Sequence, residues 1–186
     1  AGPLLNPSVK YRTERDFLPV AGIACAAFVI VTANSPTAPK RVAELVAQTK
    51  AQPANYGSSG VGTVTHLSSE LFLHRTGAKA THIPYKGSNQ SLTDLIAGHV
   101  LFVSDTLPAV LPLIRAGKLR ALAVGSAERV ASLPDVPTLI ESGYPGLVAI
   151  GWWGLAAPAG TPPDVVKALS DAALKALQKP EAQARL

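Results

Sequence analysis

Residues Thr81 to Val100 read T-H-I-P-Y-K-G-S-N-Q-S-L-T-D-L-I-A-G-H-V, and the order of residue types in this stretch decides the fold class. A short β-branched segment stops at Pro84, a polar turn Tyr85-Lys86-Gly87-Ser88 follows, and Leu92, Leu95 and Ile96 then recur on one helical face. Ser88 stands where a helix N-cap belongs, because its hydroxyl can accept one of the unpaired amide protons of the first turn. Strand, turn and helix follow one another, with the polar tip of the turn exposed. In open α/β sheets small molecules bind at loops on the carboxyl ends of parallel strands, so this tip is a candidate binding loop.

The alternation extends in both directions. Upstream, Val42, Leu45 and Val46 mark a helix that ends before Pro53, and Asn55-Tyr56-Gly57 is a short strand. Val64, Leu67 and Leu71 recur at helical spacing until Gly77, which can supply a left-handed cap. Downstream come a strand over 100–104, a proline-punctuated helix over 108–116 and a strand over 119–124. Strands taking turns with helices predict an α/β fold, a mainly parallel sheet flanked by helices.

Two long uncharged runs bracket this block. Between Asp16 and Lys40 there is no charge, and Phe17 to Ala33 is almost wholly apolar. A membrane-crossing helix needs roughly 20 apolar residues. Here Pro19 and Gly22 lie near the start and Asn34-Ser35-Pro36 closes the run, while Phe28-Val29-Ile30-Val31 has the β-branched character of a buried strand, the stronger reading. Cys25, inside this run, reads as an inert core thiol. The second run, Leu147 to Ala157, stops at Pro158. After Pro162-Pro163-Asp164, residues Val165, Val166, Leu169, Leu174 and Leu177 fall on one side of a helix. Two extended crossings around a compact block indicate a hinge to another domain.

Composition narrows the functional classes. A chain of 186 residues, 47% hydrophobic and 16% charged, buries a real core and corresponds to one domain or one domain plus part of another. The net charge is +5, but the 17 basic residues are scattered and only 5% of residues are aromatic. Nucleic-acid binding would want a basic stripe interleaved with stacking aromatics, so that class is excluded and the charge reads as mild attraction for anions. A single cysteine forms no internal disulfide and leaves the compartment open. No segment has the parts of a signal peptide, and there is no methionine, which predicts a processed or truncated product.

The upstream loop Gly57-Ser58-Ser59-Gly60-Val61-Gly62-Thr63 lies between a strand and a helix. Glycines let backbone approach a ligand, the hydroxyls of Ser58, Ser59 and Thr63 donate, and the following helix turns its free amides and positive dipole end to the same spot. Such a loop suits a carboxylate. The same residues also make an ordinary turn and cap, and the loop alone leaves both readings open. It is not a P-loop, since no Gly-Lys-Ser/Thr follows, and it lacks the third glycine of a dinucleotide fingerprint.

Catalytic readings are weaker. His66, Glu70 and His74 share a helical stripe, and the alternative function is a metal-dependent hydrolase using them. Zinc sites on helices usually place a glutamate directly after the first histidine, and any amphipathic helix shows a polar stripe. Gly57-Ser58-Ser59-Gly60 does not fit G-x-S-x-G. Asp94 reads as part of a solvated helix face. No cofactor, no metal and no catalytic residue are expected.

The quoted residues resemble a known family, the periplasmic solute-binding proteins of tripartite tricarboxylate transporters, also called Bug or TctC-like proteins. The resemblance lies in Asn55 to Thr63 with His66-Leu67, in Pro84-Tyr85-Lys86-Gly87, in Asp105-Thr106-Leu107-Pro108-Ala109 and in Ala116 to Val124. It continues through Leu133-Pro134-Asp135-Val136-Pro137-Thr138 and Gly151-Trp152-Trp153-Gly154 to Ala157 through Pro162. Ordered matches spread over nearly the whole chain make the signal specific.

The resemblance implies a periplasmic-binding-protein-like clamshell that closes on a small carboxylate, such as a dicarboxylate, an amino acid or an aromatic acid, and delivers it to membrane permease subunits. It implies a binding protein in the periplasm and not an enzyme. Carried over by position, Ser58, Ser59, Gly60, Gly62 and Thr63 form the carboxylate-binding loop, Tyr85 and Gly87 shape the facing wall, Asp105 lines the cleft floor, and Lys86 is a rim charge. Trp152 or Trp153 would sit near the hinge or serve interdomain packing. The family begins with a further glycine-rich segment and ends with a closing helix that are not seen here. The expected organisation is therefore a complete ligand-binding domain over 28–147, with 1–27 and 148–186 as hinge crossings and remnants of a second domain. On that reading the chain binds carboxylates weakly and self-associates through apolar surface near Phe17 to Phe28 and Leu147 to Ala157.

Overall fold

The computed structural model describes residues 9–183. In chain order the elements are α1 (Thr13–Asp16), β1 (Phe17–Ala33), α2 (Val42–Ala51), β2 (Asn55–Ser58), α3 (Val64–Thr76), β3 (Thr81–Pro84) and α4 (Ser88–Ala97). They continue with β4 (Phe102–Thr106), α5 (Leu107–Arg115), β5 (Leu119–Val124), β6 (Ile150–Pro158), α6 (Pro163–Leu177) and α7 (Pro180–Gln183). The chain divides into a larger unit, Ala26–Gly151, and a smaller one made of the described residues up to Cys25 and from Trp152 onward.

In the larger unit the strand order is β3-β2-β4-β1-β5. β2 pairs in parallel with both β3 and β4, whereas β1 runs antiparallel to β4 and β5. The α/β class read from the alternation stands, but the mainly parallel sheet is a mixed one. Strands β2 to β5 are joined by helical crossovers that hold them in one direction, while β1 precedes the first crossover and is free to run the other way.

Alternation along β1 splits the core into two faces. Ile30 packs with Val42, Leu45 and Val46 of α2, Tyr56 of β2, Phe72 of α3 and Phe102 of β4. Val29 and Val31 point the other way, to Leu92 and Leu95 of α4, Val103 of β4 and Val110 of α5. Phe28 to Val31 is buried throughout, as its β-branched sequence predicts. Each fully buried side chain of this size contributes about 1.5–3 kcal/mol, more than a typical cap of about 1 kcal/mol, so packing on both faces holds the unit together.

Several local expectations are corrected. On α3 the apolar spacing of Val64, Leu67 and Leu71 misidentifies the inner face. Val64 is 51% exposed, and the buried residues are Thr65, Ser68, Ser69, Phe72, Leu73 and Thr76. Hydroxyls can face inward because they find partners locally: Ser69 Oγ donates to the Thr65 carbonyl at 2.9 Å, and Thr76 Oγ1 to the Phe72 carbonyl at 2.8 Å. Ser68 Oγ reaches Ser104 Oγ of β4 at 2.9 Å. Ser88 is not the N-cap of α4; Gly87, at φ 132°, takes that place and Ser88 is already helical. Ile96 is exposed, while Leu92 and Leu95 are buried. The strand placed at 100–104 lies at Phe102–Thr106. Cys25 is exposed, because β1 becomes buried only from Ala27 onward.

In the smaller unit the start of β1 pairs with β6, and the Ala159 amide donates to the Asp16 carbonyl at 2.9 Å. α6 opens with Pro163 in its first turn and forms the amphipathic helix read from the sequence, yet buries none of its residues. Val165, Leu169, Leu174, Trp153 and Trp152, the last 78% exposed, present apolar surface. Among the described residues no helix is long and apolar enough to cross a membrane.

Candidate functional site

Because β3, β2 and β4 are adjacent and parallel, the segments that leave their carboxyl ends emerge together at one edge of the sheet. Ser58 ends β2 opposite Pro84, which ends β3, and the Tyr85 amide extends the pairing with a 3.0 Å bond to the Ser58 carbonyl. Asp105 lies at the end of β4. The loops after β2 and β3 touch: a Cβ on Gly60 would lie 3.4 Å from the Tyr85 carbonyl oxygen. Gly60 and Gly62 adopt φ of 137° and 76°, backbone that side-chain-bearing residues rarely adopt, and this allows the loop to turn tightly into α3.

The predicted donors are woven into that turn. Ser58 Oγ, fully buried, meets His82 Nε2 at 2.6 Å and accepts from the Gly60 amide at 3.1 Å. The Gly62 amide donates to His66 Nδ1 at 3.1 Å. Thr63 Oγ1 donates to the Gly60 carbonyl at 2.7 Å and caps α3 by accepting from the His66 amide. Ser59, Thr63 and Thr65 make a hydroxyl cluster, with Thr65 Oγ1 at 2.8 Å from Ser59 Oγ and 2.9 Å from Thr63 Oγ1. Each hydroxyl has a rotatable proton and two lone pairs, so this cluster can redirect a donor toward an anion without moving backbone. The amino end of α3 adds its positive dipole at the same place.

On the second loop, Tyr85 donates its hydroxyl to Asp94 Oδ2 at 2.7 Å. Burial together with that carboxylate pushes the Tyr85 hydroxyl up to about 12, and the bond holds Asp94 below the usual carboxylate range. Asp94 therefore anchors the loop rather than lying on a merely solvated face. Gly87 is open, with nothing within 4 Å of an added Cβ, and Lys86 is exposed.

Asp105 is 1% exposed. Its Oδ1 accepts the Thr106 amide at 2.7 Å, but Oδ2 has no partner. Burial pushes its pKa upward, and the polar groups of nearby Ser88 and Thr106 oppose the shift. The other buried side-chain polar atom without a partner among the described residues is Ser91 Oγ on α4. A Cβ on Gly57 would sit 2.4 Å from it, so β2 and α4 approach as closely as a glycine allows. Buried polar atoms left unpaired are rare, and each asks for a water, an ion or a ligand group.

His66, Glu70 and His74 are not brought together as a metal site. His66 Nδ1 is occupied by the Gly62 amide, Glu70 accepts from the Tyr56 hydroxyl, and His74 is exposed. Among the described residues no group of three histidine, cysteine or acidic side chains has a geometry that could hold a metal. Conversely, His82, Thr65 and Ser91 carry no local sequence signal. His82 meets Ser58 only because β3 pairs with β2 in one register, with Tyr56 beside His82 and Ser58 beside Pro84.

A model of the tripartite tricarboxylate transporter family receptor, TctC, matches residues 1–186. Protein BugT of Bordetella pertussis is 40% identical over 179 residues, which cover 95% of this chain and 55% of BugT. The solved structure of R. palustris Rpa4515 with adipate is 37% identical with a TM-score of 0.85, over 95% of this chain and 59% of that one. MatC (Rpa3494) from Rhodopseudomonas palustris with bound malate is 31% identical with a TM-score of 0.90, over 98% of this chain and 62% of the other. The periplasmic-binding-protein-like fold class read from the sequence stands. The chain spans about half the length of the curated relatives it matches. With the family model matched along its whole length and relatives at this level of identity, the chain belongs to the tripartite tricarboxylate transporter receptor family.

Proposed function

We propose that the chain is a solute-binding component of a tripartite tricarboxylate-type uptake system, and that its larger unit supplies one wall of the cleft for a small carboxylate. The observation that carries this reading is convergence: the donor-rich Ser58–Thr63 loop, the Tyr85–Gly87 loop and the buried, half-satisfied Asp105 lie at the carboxyl ends of three adjacent parallel strands. The loop of Ser59, Gly60, Gly62 and Thr63 receives the carboxylate, through the rotatable hydroxyls of Ser59 and Thr63, while Gly60 and Gly62, whose amides bond Ser58 and His66, hold the turn that presents them. Tyr85 and Gly87 form the adjoining wall, and Asp105 accepts from a ligand hydroxyl or amine. The adipate and malate of the two solved relatives make dicarboxylates the first class to examine.

In the same reading, residues 28–147 are the ligand-binding domain, and 1–27 with 148–186 are hinge crossings and parts of a second domain. The partners are membrane permease subunits, the location is the periplasm, and the exposed apolar surface around Trp152 and Leu155 supports self-association.

Thermal denaturation with rising malate or adipate tests the carboxylate reading. Saturable stabilisation that the corresponding diamides do not reproduce is expected. Equal effects of acid and diamide, or none from either, would overturn it.

A further inference from the structure

The Ser58–Thr63 loop is gripped by two imidazoles that reach it from different elements. His82, on β3, meets Ser58 Oγ through Nε2 at 2.6 Å; His66, on α3, accepts the Gly62 amide through Nδ1 at 3.1 Å. The two rings stack on each other, with centroids 4.0 Å apart and planes inclined by 19°. Tyr56 of β2 stacks on His82 at 5.0 Å, and its hydroxyl donates to Glu70 of α3, whose Oε1 lies 4.0 Å from His66 Nε2. The titratable groups facing the pair thus come from each element packed on it: Tyr56 from β2, Glu70 from α3, and each imidazole from the other's side.

We propose that His66 and His82 are positioning residues for carboxylate binding, clasping both ends of the Ser58–Thr63 loop, and that protonation of His66 at Nδ1 opens the Gly62 clasp and weakens binding. The proposal rests on the reading that this loop receives the carboxylate.

The chemistry follows from the two nitrogens of each ring. A backbone amide can donate only to an imidazole nitrogen with a free lone pair, so the Gly62 bond requires His66 Nδ1 to be unprotonated. Glu70 favours the matching tautomer by placing its carboxylate near Nε2, where the proton then resides. A second proton on His66 leaves the Gly62 amide without its acceptor and puts a cation against the face of His82. Two cationic rings at this separation repel. Burial first, and His66 second, hold His82 below its ordinary value. Gly62 carries the positive φ on which the turn into α3 depends, so releasing its amide loosens the stretch that presents Ser59 and Thr63.

The test uses the full chain. The first readout is the Gly62 amide resonance in proton–nitrogen correlation spectra, followed without ligand from about pH 7.5 to about pH 5.5. The second is calorimetric affinity for malate and for adipate at the two ends of that range. His66→Asn places a carboxamide oxygen close to the position of Nδ1 and does not titrate; His66→Leu removes the acceptor.

In the native chain the Gly62 proton is expected to move upfield on acidification, and affinity to fall about three- to tenfold, the effect of one lost hydrogen bond. His66→Asn is expected to keep near-native affinity at the upper pH and to lose the additional pH dependence; run alongside, it removes the ligand's own protonation from the comparison. His66→Leu is expected to bind weakly at both pH values. A Gly62 resonance that stays flat, or an Asn variant with the native pH profile, overturns the clasp while leaving carboxylate binding intact. If neither acid binds at either pH, the carboxylate reading fails and the positioning role fails with it, whatever Gly62 does.

Discussion

Ser58 Oγ of β2 and His82 Nε2 of β3 stand 2.6 Å apart, a side-chain bond between neighbouring parallel strands at the edge where the candidate site lies. The same Ser58 oxygen accepts the Gly60 amide, so one buried hydroxyl ties strand pairing to loop shape. Ser58→Ala leaves both partners unsatisfied and is expected to cost about 1–3 kcal/mol in urea denaturation. An unchanged midpoint would mean that the bond contributes nothing.

His82 also sets a pH dependence. Its folded pKa is lowered, chiefly by burial, so the folded state binds fewer protons than the unfolded chain as pH falls below the ordinary histidine value of about 6.5. Stability from this group is complete above that value and is lost as pH falls toward the folded value. His82→Gln is expected to flatten the melting temperature between about pH 7.5 and about pH 5.5 relative to the native chain. A variant with the native slope would assign the dependence to another group.

Asp105 works in the opposite sense. Its folded pKa is raised by burial, so the ionised form carries a penalty above that value, which protonation relieves as pH falls toward the ordinary carboxylate value near 3.9. Asp105→Asn keeps an acceptor for the Thr106 amide without the charge. A higher melting temperature at neutral pH is expected, by roughly 2–4 °C for each kcal/mol relieved, with the gain shrinking near pH 4. A lower melting temperature at neutral pH would show that the carboxylate is satisfied.

Gly57 and Ser91 form a coupled pair. A Cβ on Gly57 would fall 2.4 Å from Ser91 Oγ, 3.2 Å from Val103 Cγ2 and 3.3 Å from the Tyr85 ring. Gly57→Ala is expected to destabilise by about 1–3 kcal/mol through overpacking. Ser91→Ala removes a buried oxygen that has no partner and is expected to be neutral or stabilising alone, and to recover part of the loss in the double variant. Strictly additive effects would contradict this contact.

Cys25 separates the sequence reading from the structure most simply. As an exposed thiol it is expected to react to completion with a thiol-specific reagent in the native chain, within the time taken by the denatured chain. Protection until unfolding would restore the buried reading.

The βα alternation was legible because each unit carries its own signals: Pro84 stopping a strand, Gly77 ending a helix in left-handed backbone, and Leu92 with Leu95 marking a buried face. The direction of β1 was not, since a run such as Phe28 to Val31 is equally apolar whichever way it enters the sheet. The inner face of α3 was misread for a different reason. Ser68 and Ser69 are buried because their hydroxyls bond to the helix backbone or to Ser104, a partner 36 residues away from Ser68, and Thr65 because its hydroxyl meets those of Ser59 and Thr63. The candidate loops were visible from glycine and hydroxyl content, but the imidazole pair behind them was not. His66 and His82 are joined only by strand register and helix packing, which no local spacing records.

The most direct test of the central claim is to map a dicarboxylate onto the chain by proton–nitrogen correlation spectra during titration with malate or adipate. The expected result is saturable shifts concentrated on the amides of Ser59, Gly60, Gly62, Thr63, Gly87 and Thr106, at the carboxyl ends of β2, β3 and β4. Saturable shifts that leave these amides unmoved and fall elsewhere on the chain would contradict it.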